Sequence, residues 1–286
     1  MRLVSSAWIF ASLLLTQSLA WAQSPPLVDT SAFPGQWAPQ APDPNKPNAP
    51  QLCQRLAQSD AQLACYQYLG ADWARLQRFG DANARLAPPV KGEKRVVFIG
   101  DSITDLWSLP TSGGFFPGKP YINRGIGSQT TAQMLVRFRP DVLALQPRVV
   151  VILAGTNDIA GRTGPTTLAS IQDNLSSMVE LALAHKIKVV LASLLPVGDD
   201  KRDRDGKPQL RSQERPLATI RALNDWIAAY AKKKQIGFID YHKAMVGPDG
   251  QLRPELNDDG VHPNQQGYAV MAPLAEAAIT LALRGR

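Results

Sequence analysis

From residue 95 onward the 286-residue sequence predicts an α/β fold with a parallel sheet and helices on both of its faces, and three observations predict it. Short runs rich in β-branched residues recur along the chain. Their apolar character is nearly continuous, as strands covered on both faces require. Longer stretches with helical spacing separate them, which is the β-α-β-α rhythm of parallel sheets. The strands are Arg95 to Ile99, Val149 to Ala154, Lys188 to Ala192 and, more weakly, Gly237 to Asp240, with a short run at Tyr121-Ile122-Asn123 completing five. The intervening helices are predicted at Thr130 to Phe138, Thr166 to His185 and Gln213 to Lys234, and a last one at Gln265 to Leu283 follows the fifth strand. No repeat of fixed period is present, which excludes solenoids and propellers.

Composition narrows the class. A chain that is 44% hydrophobic and 19% charged can bury a core, so fibrous and wholly disordered classes are excluded. The formal charge of +7 would suit an anionic partner, but the 31 basic and 24 acidic residues are largely interspersed, which argues against nucleic acid. Beyond the N-terminus no stretch approaches the ~18 uninterrupted apolar residues of a membrane-spanning helix, so no integral membrane segment is expected in the mature chain.

Residues 1–22 read as a signal peptide. One basic residue, Arg2, precedes an apolar run from Ala7 to Leu15 and a small-x-small end, Ala20-Trp21-Ala22. This predicts export to the periplasm or the medium. Residues 23–50 form a proline-rich arm, with eight prolines in 28 residues blocking helix and ladder alike. Residues 51–90 read as a helical extension. Its cysteines, Cys53 and Cys65, are the only two in the chain and would be about 18 Å apart on one straight helix, too far to bond. Ser59 with Gln62 is a capping box that would start a second helix, so a hairpin joined by a Cys53–Cys65 disulfide is expected; two buried thiols are the alternative. Residues 91–286 are then the catalytic domain. Within it, 196–216 is charged and rich in Gly and Pro, either a cover over the site or a solvated loop.

In parallel sheets reactive groups sit beyond the carboxyl ends of the strands, and four polar clusters fall there. They are Gly100-Asp101-Ser102, the segment 123–128, Gly155-Thr156-Asn157-Asp158, and the segment 258–263 after the last strand. Ser102 at a strand-to-helix junction has its hydroxyl near free backbone N–H groups, which favour developing negative charge. A nucleophilic serine needs a base, and the chain has three histidines. His185 and His242 read as structural or surface residues. His262 has Asp259 three residues before it in a Gly- and Pro-bounded loop, so one turn can bring carboxylate to imidazole. Asn157 and a backbone amide of the Gly125-Ile126-Gly127-Ser128 turn, with the Ser102 amide, would supply donors to an oxyanion. Trp107, Phe115, Phe116 and Tyr121 either line an acyl or sugar site or pack in the core.

The strings VVFIGDSITD, NRGIGSQTT, VVVILAGTND and DGVHPN, in that order, resemble the blocks of the SGNH hydrolase superfamily, also called GDSL esterases and lipases. The resemblance spans roughly Arg95 to Leu283. It implies a flavodoxin-like three-layer α/β/α sandwich with Ser102 as nucleophile, His262 as base and Asp259 as its orienting acid. It also implies an oxyanion hole from the Ser102 amide, a glycine amide of the second block and Asn157. Here the chain departs: the usual glycine position is Ser128, with Gly127 before it, which leaves two candidate amides. The lipase elbow G-x-S-x-G, the phosphate-binding and dinucleotide glycine patterns and H-E-x-x-H are missing from the sequence, so neither cofactor nor metal is expected. The expected activity is hydrolysis of a small-molecule, glycan or lipid ester through an acyl-enzyme. The rival from another class is a secreted module that binds carbohydrate or lipid on this fold without cleaving it.

Overall fold

The computed structural model describes residue 63, residues 70–203 and residues 205–284. The expected signal peptide, the proline-rich arm, both cysteines and residues 51–62 and 64–69 of the helical extension lie outside the described residues. The catalytic core follows a 3-10 turn at Leu76–Phe79 and a short helix, α1 (Gly80–Arg85).

Five strands form one parallel sheet: β1 (Val96–Gly100), β2 (Tyr121–Gly125), β3 (Val149–Leu153), β4 (Lys188–Ala192) and β5 (Gly237–Ile239). The spatial order β2-β1-β3-β4-β5 is that of flavodoxin-like folds. Every residue of β1 and β3 is buried, as their unbroken apolar runs required. β1 pairs on one side with β2, Gly100 opposite Gly125, and on the other with β3, Gly100 opposite Leu153. Three strand ends therefore share one level, and the polar clusters that follow them share one crevice.

The helices are α2 (Ser102–Leu106), α3 (Thr131–Val136), α4 (Phe138–Asp141), α5 (Thr156–Ile159), α6 (Leu168–Ala184), α7 (Arg211–Glu214), α8 (Leu217–Lys234), α9 (Tyr241–Met245) and α10 (Gln265–Leu283). The long ones fall where the periodicity predicted them. α10 buries Tyr268, Met271, Ala275 and Ile279 against the sheet. By length and composition alone it could cross a membrane, but that burial makes it a core helix. The helix predicted from Thr130 to Phe138 is instead two pieces. Its chain turns at Arg137, whose buried side chain is taken up in hydrogen bonds described below.

α2 is drawn unusually close to the sheet. A Cβ at Gly100 would collide with the Thr104 side chain, and one at Gly125 with the backbone nitrogen of Asp105. Only glycine at both strand ends lets the helix that starts with Ser102 sit directly over them. Trp107, Phe115, Phe116 and Tyr121 gather around Phe98 with ring centroids 5.1 to 6.1 Å from it, and Trp107 stacks on Tyr268 at 5.0 Å. Trp107 and Phe116 are buried, so this cluster is core under the site rather than its lining.

Candidate active site

Asp101 ends β1 and caps α2: its Oδ1 accepts from the Ile103 N–H at 2.9 Å, which fixes the turn that presents Ser102. The Ser102 Oγ lies 2.8 Å from His262 Nε2. On the other side of the ring, Nδ1 lies 2.8 Å from Asp259 Oδ2. With a carboxylate facing Nδ1, that nitrogen carries the proton and Nε2 is left to accept from the serine hydroxyl. Three residues 160 positions apart at the extremes thus form one hydrogen-bonded line. His185 and His242 take no part. The former is exposed and bonded to the Leu181 carbonyl, and the latter begins α9.

The loop holding Asp259 and His262 is stiff. Asp259 Oδ1 accepts from the backbone N–H groups of Val261 (3.0 Å) and His262 (2.8 Å), while Asn257 Oδ1 accepts from Gly260 N–H at 2.7 Å. Burial pushes the Asp259 carboxyl up, but its bond to His262, the imidazole's charge and the two amides outweigh burial. They hold it well below the usual carboxylate range. The segment 196–216 lies against this loop: Gly198 N–H donates to the Gly260 carbonyl at 2.8 Å and Arg211 Nε to the Asp259 carbonyl at 3.0 Å. Its two ends are braced against each other by Ser212 N–H donating to Asp199 Oδ1 at 2.9 Å.

The donor side is organised by a second set of contacts. Asn157 occupies the first turn of α5, is buried, and gives one hydrogen of its Nδ2 to the Gln129 carbonyl at 3.1 Å. The second hydrogen of that nitrogen is what an oxyanion would use. Of the two candidate amides in the second cluster, Gly127 N–H already donates to Asp105 Oδ2 at 3.1 Å. Ser128 has φ +66°, the left-handed region that the superfamily's glycine would occupy without strain. Among the described residues neither the Ser128 nor the Ser102 amide donates to any protein group.

Sequence reasoning missed the residue that binds these pieces together. Arg137, with no exposed surface, donates from Nη2 to the Gly100 carbonyl (3.0 Å), from Nη1 to the Arg124 carbonyl (2.7 Å) and to Asp141 Oδ2 (3.1 Å), and from Nε to Gln129 Oε1 (2.5 Å). One guanidinium therefore spans the end of β1, the end of β2 and the residue that holds Asn157. Its fixed fork of donors suits four acceptors at different heights, which a lysine could not match. A cation at a position flanked by the buried Met134 and Phe138, with an acid four residues on, was the available signal. Asp158, which the sequence places in the third polar cluster without a role, accepts from the Thr131 N–H and hydroxyl and so ties α5 to α3.

Two carboxyls crowd the nucleophile. Asp101 is 1% exposed and pushed up to about 6 by burial; its Oδ2 has no hydrogen-bond partner among the described residues. Asp105 is also pushed up to about 6, again by burial, against the lowering effect of Arg78. Among the described residues no three His, Cys, Asp or Glu side chains gather as a metal-binding group, and the crevice brings together a serine hydroxyl, an imidazole and backbone amides.

The model of the GDSL-like lipase/acylhydrolase family matches residues 98–270, which is more than half of the chain and contains the segment from Gly100 to His262 that builds the site. The chain belongs to that family. Among solved structures, a GDSL-like lipase from Bacteroides thetaiotaomicron VPI-5482 is 45% identical, with 73% of this chain and 99% of that one covered and a TM-score of 0.65. Among curated proteins, the isoamyl acetate-hydrolyzing esterase of Saccharomyces cerevisiae is 25% identical over 212 residues, covering 70% of this chain and 83% of the yeast protein. The uncharacterized lipoprotein YqeF of Bacillus subtilis (strain 168) is 29% identical over 143 residues, which are 45% of this chain and 57% of YqeF. The GDSL-like family thus accounts for the sheet and the site, and the match leaves the first 97 residues outside it.

Proposed function

We propose that this chain is an exported serine esterase that hydrolyses short carboxylic esters through an acyl-enzyme. In the first half-reaction Ser102 Oγ attacks the ester carbonyl as His262 Nε2 takes its proton. Asp259 stabilises the imidazolium, and the same proton passes to the departing alcohol. Water then repeats the sequence on the acyl-serine and releases the acid. The tetrahedral oxyanion of each step is met by the Ser102 amide, the Ser128 amide and Asn157 Nδ2. Gly127 is left out of this role because its N–H is spent on Asp105.

The observation that carries the reading is the unbroken line from Asp259 through His262 to Ser102, at 2.8 Å for each link. Likeness to a yeast enzyme named for isoamyl acetate supports an acetate or other short acyl group. Export rests on the leader-like residues 1–22 and on the likeness to a lipoprotein.

A panel of p-nitrophenyl esters of rising chain length, assayed beside acetylated xylan and a lysophospholipid, tests this. The reading expects turnover of acetyl or butyryl esters that vanishes in Ser102→Ala. A folded protein that binds one of these compounds and cleaves none would instead be the binding module.

A further inference from the structure

The pole of the sheet opposite Ser102 carries a charge pattern that the esterase chemistry does not use. All five strands are entered through basic residues: Lys94-Arg95 before β1, Lys119 before β2, Arg148 before β3, Lys186 and Lys188 at β4, and Lys232-Lys233-Lys234 before β5. Backbone bonds set several of them in a row, since Arg148 N–H donates to the Arg95 carbonyl and Lys188 N–H to the Arg148 carbonyl. Acids reach this pole as partners: Glu93 pairs with Arg95, Glu180 with Lys234 and Glu276 with Lys119. That leaves Lys94, Arg148, Lys186, Lys188, Lys232 and Lys233 exposed and without an ion pair among the described residues.

Helix-end electrostatics explain part of the pattern. α6 and α8 both end here, and Lys186 and Lys232 to Lys234 complement the negative ends of their dipoles. Lys94, Arg148 and Lys188 stand at strand entrances, where no such dipole exists. Strands about 4.8 Å apart keep the cations of neighbouring strands within about one screening length, so their fields overlap along the row.

We infer that this pole is a docking surface for an anionic lipid bilayer, holding the protein with Ser102 turned to the water. Two features favour a bilayer over a nucleic acid or another polyanion. Five of the six free cations are lysines, hydrated point charges suited to a diffuse field of headgroups rather than the forked donors that read individual phosphates. Exposed leucines also stand among them, Leu183 at the end of α6 (39% exposed) and Leu281 at the end of α10 (58%), the latter beside Arg284. Apolar side chains set among lysines are the composition of surfaces that lie on a membrane interface.

The test is co-sedimentation of the protein, as the host cell processes it, with vesicles of phosphatidylcholine alone and with about one-third phosphatidylglycerol, at about 50 mM and 300 mM salt. The expected result is binding to the anionic vesicles only, released by salt. Changing Lys188, Lys232 and Lys233 together to Gln lowers the partition coefficient about 100-fold, near fivefold for each lysine, while hydrolysis of a soluble ester is unchanged. The pair Leu183→Ser and Leu281→Ser weakens vesicle binding and leaves retention on heparin as it was. Equal binding to both vesicle types, full binding by the triple variant, or retention on heparin without vesicle binding would each overturn the inference.

Discussion

The two ends of the same five strands are built on opposite principles. At the carboxyl ends many of the polar groups are buried and bound into one network: Arg137 alone holds the ends of β1 and β2 and, through Gln129, Asn157. At the amino ends most of the charged groups are exposed, Arg95 being a buried exception, and six of the cations have no ion pair among the described residues. A buried polar group left unmatched costs a few kcal/mol, whereas a surface ion pair contributes about 1 kcal/mol or less. Substitutions at the first end should therefore change rates and cooperative stability by large factors, and single substitutions at the second should change neither.

The largest effect expected at the reactive end, short of removing a member of the Ser102–His262–Asp259 line, is at Asn157. Asn157→Ala should lower kcat by roughly 10²- to 10³-fold with a folded protein and little change in KM, the usual worth of one oxyanion donor. Steady-state kinetics decide it, and a folded variant at full rate removes Asn157 from the mechanism.

Next comes Asp101, where the difference between the two ends should be visible as a pH effect. Its folded pKa is raised to about 6 by burial, so between the ordinary carboxylate value near 4 and pH ~6 the folded chain keeps a proton that the unfolded chain has lost. Stability from this group therefore falls as pH rises through that window. Asp259 is depressed and acts in the opposite sense, its contribution being complete above the ordinary value and lost as pH falls through its low folded value. Asp101→Asn keeps the cap on Ile103 and removes the first effect. Relative to the parent it should gain on the order of 2 kcal/mol between about pH 4 and pH 7, read by urea unfolding. An unchanged difference across that range would mean the buried carboxyl is not penalised.

The smallest effect concerns Ser128. Because its proposed donor is a backbone amide, Ser128→Gly keeps the donor and relaxes the φ of +66°; kcat should stay within about twofold and stability should rise by no more than about 1 kcal/mol. A tenfold loss of rate would show that the serine side chain, rather than its amide, is used.

How much of this the sequence disclosed depended on the range of the interactions. Strands β1, β3 and β4 were legible because burial on both faces leaves an unbroken apolar run, and the long helices because their periodicity is regular. Ser102, His262, Asp259 and Asn157 were legible because a parallel sheet gathers its carboxyl ends at one level. Arg137 was not, since its partners Gly100, Arg124 and Gln129 are carbonyls and an amide that periodicity does not register. The split at Arg137 was missed for the same reason: a tertiary hydrogen-bond set overrode local helical preference. Competition for an amide is equally silent in a sequence: that Gly127 N–H is taken up by Asp105 is visible only once the two are placed together. Trp107 and Phe116 could either line the site or pack in the core, because an aromatic near a nucleophile carries no signal of which way it faces.

Reaction with a fluorophosphonate, followed by mass mapping of the adduct, tests the central claim most directly. The account predicts one phosphonyl group on Ser102 in the parent protein, and loss of that adduct in a folded His262→Ala variant. Labelling of another serine, or labelling of Ser102 as fast without the imidazole as with it, would contradict it.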